Sequence, residues 1–344
     1  MRKLLLSALS LSLLFASCDI VELTIPGATS RTEVQWGQVS FALSSDAAFT
    51  RTRASEPAAE TAVNRLQVLI YNEAGNLVSY AVGEGGALSA TVPLNIGGHT
   101  VYAVTNVSED LSRCSSPAAL TGKISLLKDN ATTGLQMIGS VRDQTFTSGS
   151  TVNVAVRRFA SKVEIDQITT DFTAAAFRSQ AFVITGIFLI NVNGSCPYSQ
   201  EPTAGTWYNQ LDRVAGDCDA WITDTFASPV TVQTSSGVVT PYTTPHYFYC
   251  YANPTTTDTH GGAWSPRRTR LVVATKLGER VYYYPIDIVG QGNVLGVNQY
   301  YKVTSLKITG PGVDHPDDLL DNGSVSFSVT VEDWETGFIK NVTY

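Results

Sequence analysis

The feature that most constrains this chain is a succession of short runs in which apolar residues alternate with a period of two. Stretches rich in Gly, Pro, Asn and Asp separate them. The plainest run lies near the end, where Val325, Phe327, Val329 and Val331 alternate without a break. Such a run presents one face to a core and the other outward. Earlier runs cover 64–71 and 77–80, joined by an Asn72-to-Asn76 turn, then 88–94 and 99–106. In the last of these Val101 and Ala103 occupy one face while Tyr102 and Val104 occupy the other, as in a strand covered on both sides. Further strands are expected at 137–141, 151–156, 161–169, 182–192, 247–252, 269–276, 280–288 and 299–309. Helix is expected only in short pieces, at 108–112 and 117–126, and 193–242 reads as a long loop. Regularly spaced strands of this kind predict an all-β protein made of β-sandwiches.

Composition agrees. Only 15% of the 344 residues are charged, and β-formers are plentiful, as in exported all-β proteins. The length suits two sandwiches in tandem, 32–157 and 158–344, with the boundary near Arg157 and Arg158. The net charge is −7, and removal of Arg2 and Lys3 with residues 1–17 lowers it by two, to −9. With no basic cluster longer than a pair, nucleic acid is excluded as a partner.

Residues 1–17 read as a signal peptide: Arg2 and Lys3, then a mostly apolar run from Leu4 to Phe15, then Ala16 and Ser17. Small residues directly before Cys18 form a lipobox-like ending, so Cys18 is the expected lipidation site, and 18–31 the tether behind it. The first strand and an arginine loop fill 32–56. Val39, Phe41 and Leu43 alternate on odd positions, Val34 and Trp36 on even ones, and Gly37 between them is placed for a β-bulge that would change the register. Small and polar residues carrying Arg51 and Arg53 follow, with little to bury, so this segment is expected to be exposed to proteases. If it is cut, the strand can leave while everything downstream stays folded. At the other end, Trp334, Phe338, Val342 and Tyr344 supply a second alternation after Val325, Phe327, Val329 and Val331. An apolar strand at a terminus needs a groove, in its own domain or in a neighbour.

Nothing in the sequence carries catalytic chemistry. His99, His246, His260 and His315 stand far apart, and there is no HExxH, no GxSxG elbow and no phosphate-binding glycine loop. The reading is therefore no enzyme, no cofactor and no metal. The turn containing Asp314, Asp317, Asp318 and Asp321 reads as solvated rather than as a Ca²⁺ loop, since it lacks the DxDxDG spacing. Cys196 and Cys218 form a candidate disulfide because both lie in loop-like sequence. Aromatics at 247–251 and 282–284 read as packing first and as a sugar-binding platform second.

In order along the chain, NRLQVLIYNEAGNLV, HTVYAVTN, RRFASKVEI, HYFYCYANP, NQYYKVTSLKITGPGVDHPDD and VSFSVTVEDW resemble the fimbrillins of Bacteroidales, also called type V pilins. The closing segment resembles major stalk subunits. The resemblance implies two transthyretin-like β-sandwiches in tandem and a precursor lipidated at Cys18 and held at the outer membrane. It further implies an arginine-specific surface protease that cuts after Arg51 or Arg53. The first strand, with Val34, Trp36, Val39, Phe41 and Leu43, is then displaced. A donor strand from the terminal hairpin 324–344 of another copy fills the groove; its residues are Val325, Phe327, Val329, Val331, Trp334, Phe338, Val342 and Tyr344. The implied partners are further copies, accessory fimbrial subunits, that protease, the lipoprotein export machinery and an unidentified host ligand. The competing expectation is a monomeric, lipid-anchored surface binding protein or tip adhesin, which would use the aromatic runs or the 193–242 loop.

Overall fold

The computed structural model describes residues 34–44, 60, 62–130, 134–203, 205–210, 230–231, 241–257, 265–320, 324–333 and 339–343. In chain order the first strands are β1 (Trp36–Ser44), β2 (Leu66–Tyr71), β3 (Leu77–Gly83), β4 (Ala87–Pro93) and β5 (His99–Thr105). A short helix α1 (Pro117–Thr121) precedes β6 (Ile124–Leu126), β7 (Met137–Gln144), β8 (Thr151–Ala155) and β9 (Arg157–Arg158). Next come β10 (Ala160–Ile165), β11 (Ile168–Thr170), helix α2 (Ala175–Arg178), β12 (Phe182–Ile190), β13 (Val192–Asn193) and β14 (Ser195–Pro197). The remainder are β15 (Trp207–Tyr208), β16 (Val230–Thr231), β17 (His246–Tyr251), β18 (Arg270–Leu277), β19 (Arg280–Asp287), β20 (Gln299–Ile308), β21 (Val325–Asp333) and β22 (Ile339–Thr343).

The main sheets divide close to Arg158. Before it, β4-β1-β8 form one sheet and β3-β2-β5-β7-β9 another. After it, β17-β10-β20-β21-β22 form a sheet in which β11 also pairs with β20, and β16-β12-β18-β19 form a second. One small pairing, β6 with β14, joins the two halves of the sequence. The β2–β3 hairpin turns where the sequence says: Asn72 Oδ1 accepts from the Asn76 amide at 3.0 Å, and Gly75 takes φ 77°.

β2 and β5 are covered on both faces, as the two-sided pattern of 99–106 requires. Leu66, Val68, Ile70, Val101 and Ala103 join a core shared with β1, β4 and β8. Leu69, Tyr71, Tyr102 and Val104 point the other way, into a larger core that continues through Phe159, Val163 and Leu271 to Val329. The sheet β3-β2-β5-β7-β9 is therefore a middle layer.

Three sequence expectations change. The helix expected at 108–112 does not form, and α1 ends at Thr121. Ser116 caps its start by accepting from the Ala119 amide, while Ile124–Leu126 leaves helix to pair with β14 seventy residues on. The stretch 193–242 is not one loop: β14, β15 and β16 lie in it, each two or three residues long and too short to show a period. Cys196 is accordingly in a strand, not a loop. It is buried as a free thiol, with Sγ 3.5 Å from its Pro197 carbonyl, and Cys218 lies outside the described residues.

Candidate functional site: the seat of the first strand

β1 sits between β4, antiparallel from Trp36↔Pro93 to Ala42↔Ala87, and β8, parallel from Ser40↔Thr151 to Ser44↔Ala155. Among the described residues β4 and β8 share a sheet through β1 and do not pair with one another. Bonds at its margins extend the seat: Leu94 N to Gln35 O at 2.7 Å, Leu43 N to Gly86 O at 2.8 Å and Ser40 N to Ser150 O at 2.9 Å.

The inward face of β1 carries Gly37, Val39, Phe41 and Leu43. Val39 and Phe41 are each 1% exposed, and Phe41 meets the edge of Phe146 with ring centroids 5.9 Å apart. Leu43 is half-buried against the same core. Val92 on β4 and Val152 and Val154 on β8 flank them, and Leu66, Val68, Ile70 and Val101 form the floor. The outward face is polar: Gln38 Nε2 donates to Thr91 Oγ1 at 2.7 Å, and Ser40 Oγ lies 3.2 Å from Ser89 Oγ.

Gly37 is not a bulge. Pairing with β4 runs through it without a shift, from Trp36 to Ala42. A Cβ there would come within 2.6 Å of Leu94 Cδ1, so the glycine makes room for Leu94 on the core face. With no change of register, the even positions stay outside. Val34 is 46% exposed and Trp36 55%, so two of the five residues expected in the displaced strand stand outside the groove.

Residues 45–59, with Arg51 and Arg53, lie outside the described residues, as do Cys18, Trp334, Phe338 and Tyr344. At the far end, β21 runs antiparallel to β20 from Gln299↔Asp333 to Ile308↔Val325, and β22 pairs with β21 from Ser328↔Thr343 to Glu332↔Ile339. Val329 is buried, and Val325 and Phe327 pack partly buried on the larger core. Val331 lies within β21 and Val342 within β22, the edge strand of its sheet.

The other candidates resolve into structure. Asp317 is fully buried, neither solvated nor open to a cation. Its Oδ1 accepts from Arg270 Nη1 and Asn191 Nδ2, both at 2.9 Å, and its Oδ2 pairs with Arg267. Among the described residues no group of three or more His, Cys, Asp or Glu side chains is placed to hold a metal ion. Phe248, Tyr249, Tyr251 and Tyr284 are at most 2% exposed and belong to the core, while Tyr247 is 42% exposed. His99 opens β5, buried against the Phe146 ring.

Sequence reasoning missed one cluster, formed by Glu60, Arg158, Lys162 and Tyr249, all buried. Its only sequence signal is that Arg158 and Lys162 stand at strand positions where a covered sheet would otherwise place apolar residues.

Residues 38–178 match the family model described as major fimbrial subunit protein (FimA). A comparison with curated proteins finds no match. Among solved structures the chain is similar to a "putative cell adhesion protein" from Bacteroides eggerthii, at 15% identity and TM-score 0.64, covering 88% of this chain and 98% of that one. It is similar to a fimbrilin (FimA) from Porphyromonas gingivalis, at 14% identity and TM-score 0.63, with the same coverages. A third, described in the same words as the first and from Parabacteroides distasonis, is 18% identical with TM-score 0.58, covering 88% and 100%. These structures establish a fimbrilin-type β-sandwich fold, and the family model carries the likeness to fimbrial subunits independently of it.

Proposed function

We propose that this chain, similar to major fimbrial subunits over residues 38–178, is a structural pilin subunit that polymerises by exchange of β-strands to build an adhesive cell-surface fimbria. Family model and fold together support a structural role in a fimbria and in adhesion, with other fimbrial subunits as partners and an extracellular location. The finer steps belong to the proposal. The precursor is exported and lipidated with palmitate at Cys18, an arginine-specific protease cuts after Arg51 or Arg53, and β1 departs. A strand from the hairpin 324–344 of the next copy enters the vacated seat.

One observation carries this reading: β1 is a central strand, paired with β4 on one side and β8 on the other. Its removal exposes two rows of unpaired backbone groups above an apolar trough, a template for strand addition. Val39 and Phe41 alone hold about 3–6 kcal/mol of burial in that trough, so an empty seat favours any alternating apolar strand that reaches it. A donor with apolar residues two apart matches the vacated face, and the ladder bonds it gains on both sides favour slow dissociation.

The test compares three chains after digestion with an arginine-specific protease, run in SDS without boiling. The wild type should give a ladder of oligomers. A chain with Arg51→Ala and Arg53→Ala should remain uncut there, and one lacking residues 334–344 should be cut yet give no ladder. A ladder from the uncut double variant would refute the requirement for cleavage.

A further inference from the structure

Glu60 is completely buried. Its Oε1 accepts from the Tyr249 hydroxyl at 2.5 Å and lies 2.8 Å from Lys162 Nζ. Its backbone carbonyl accepts from both Nε and Nη2 of Arg158, at 3.1 and 2.9 Å. Arg158, Lys162 and Tyr249 are at most 5% exposed, and they belong to β9, β10 and β17, nearly a hundred residues or more along the chain. One residue is thus held by backbone and side chain together, through partners that are themselves fixed in sheets.

We infer that Glu60 is a built-in stop that fixes the amino terminus of the processed chain, so that cleavage in the arginine loop frees β1 without unravelling β2. The inference rests on the pilin reading for the cut, while the anchor stands on its own geometry. A cut after Arg53 leaves residues 54–59 ahead of Glu60, and a cut after Arg51 leaves 52–59. Free ends fray and are trimmed until something holds them. The next element, β2, supplies Leu66, Val68 and Ile70 to the floor of the groove, so fraying that reached it would destroy the seat a donor needs.

The anchor suits this task because it is charged. Withdrawing Glu60 leaves the buried Lys162 ammonium with Glu164, 3.8 Å away, as its remaining carboxylate contact within 4 Å among the described residues. Removing one partner of a buried pair is strongly unfavourable, so the segment does not leave in small steps. Behind Glu60 stands a weaker hold: Asn106 Nδ2 donates to the Ala62 carbonyl and Asn106 Oδ1 accepts from the Asn64 amide, both at 2.8 Å. Loss of the anchor should therefore move the stop by two to four residues, onto this second hold.

The full chain is digested with the arginine-specific protease, then with an aminopeptidase together with an X-prolyl aminopeptidase that opens the Glu56–Pro57 bond, and the new terminus is read by mass spectrometry. In the wild type trimming should halt at or ahead of Glu60; with Glu60→Ala it should run on to between Ala62 and Asn64. Wild-type trimming beyond Glu60, or an unchanged stop in the variant, overturns the inference. A second arm needs no cleavage: amide hydrogen exchange over 62–71 in the uncut chain should be roughly tenfold faster or more with Glu60→Ala. Unchanged exchange also overturns it. If Glu60→Ala does not fold, Glu60→Gln removes the charge while keeping a side-chain oxygen for the Tyr249 hydroxyl, and the same two readings apply. A wild type that is never cut at Arg51 or Arg53 contradicts the pilin reading instead, and the exchange arm still judges the anchor.

Discussion

Phe41→Ala separates the precursor from the assembled form, because the account puts Phe41 in one and not in the other. In the uncut chain the ring is 1% exposed, lies mid-strand and meets Phe146 edge-on. Truncating a fully buried phenylalanine costs about 3–5 kcal/mol, and strands on either side limit how far this site can collapse. The loss should appear as a lower urea midpoint for the uncut chain, with m unchanged. After cleavage the same change should release β1 faster, since less burial holds it. On the strand-exchange proposal Phe41 is absent from the oligomers, so their resistance to heat in SDS should equal that of the wild type. Phe146→Ala is the control: Phe146 stays in the groove wall and should weaken precursor and oligomer alike. If Phe41→Ala weakens the oligomers as well, β1 is still seated in them and strand exchange is wrong.

Other outcomes follow from the same structure. Asp317→Ala leaves Arg267 and Arg270 buried without their shared carboxylate and should cost about 3–5 kcal/mol in urea unfolding, whereas a solvated aspartate would cost almost nothing. Burial pushes the Cys196 and Cys250 thiols up to about 12 from the ordinary 9.0, so both should resist iodoacetamide in the folded chain at pH 8 and react once it is unfolded. Because these folded-state values are raised, their contribution to stability is complete below pH 9 and is lost as pH rises from there towards 12, which a urea titration at pH 8 and pH 10.5 would register. Cys18→Ala should abolish metabolic labelling with palmitate and release the precursor from the membrane fraction.

Where side chains obey a local rule, the sequence was informative. The two-sided run 99–106 became a strand covered on both faces, and the odd positions of β1 point into a core as their alternation requires. Where distant residues decide, it was not. Gly37 reads as a bulge until Leu94 is seen in the space that a side chain would fill. Ile124–Leu126 reads as helix until β14 pairs with it. Asp317 reads as solvent-facing because the arginines that bury it lie 47 and 50 residues away. Glu60 is the extreme case, a carboxylate in a small, polar stretch whose hydrogen-bonding partners come 98 and 189 residues later. The apolar face of the groove was legible, then, while the charged residue that holds its near end was not.

Native mass spectrometry of the wild-type chain after arginine-specific cleavage tests strand exchange most directly, because it weighs each subunit and counts its partners together. The account predicts oligomers in which every subunit with an occupied groove has lost the peptide ending at Arg51 or Arg53. A monomer that carries both fragments, with the cut β1 peptide still bound, would contradict it.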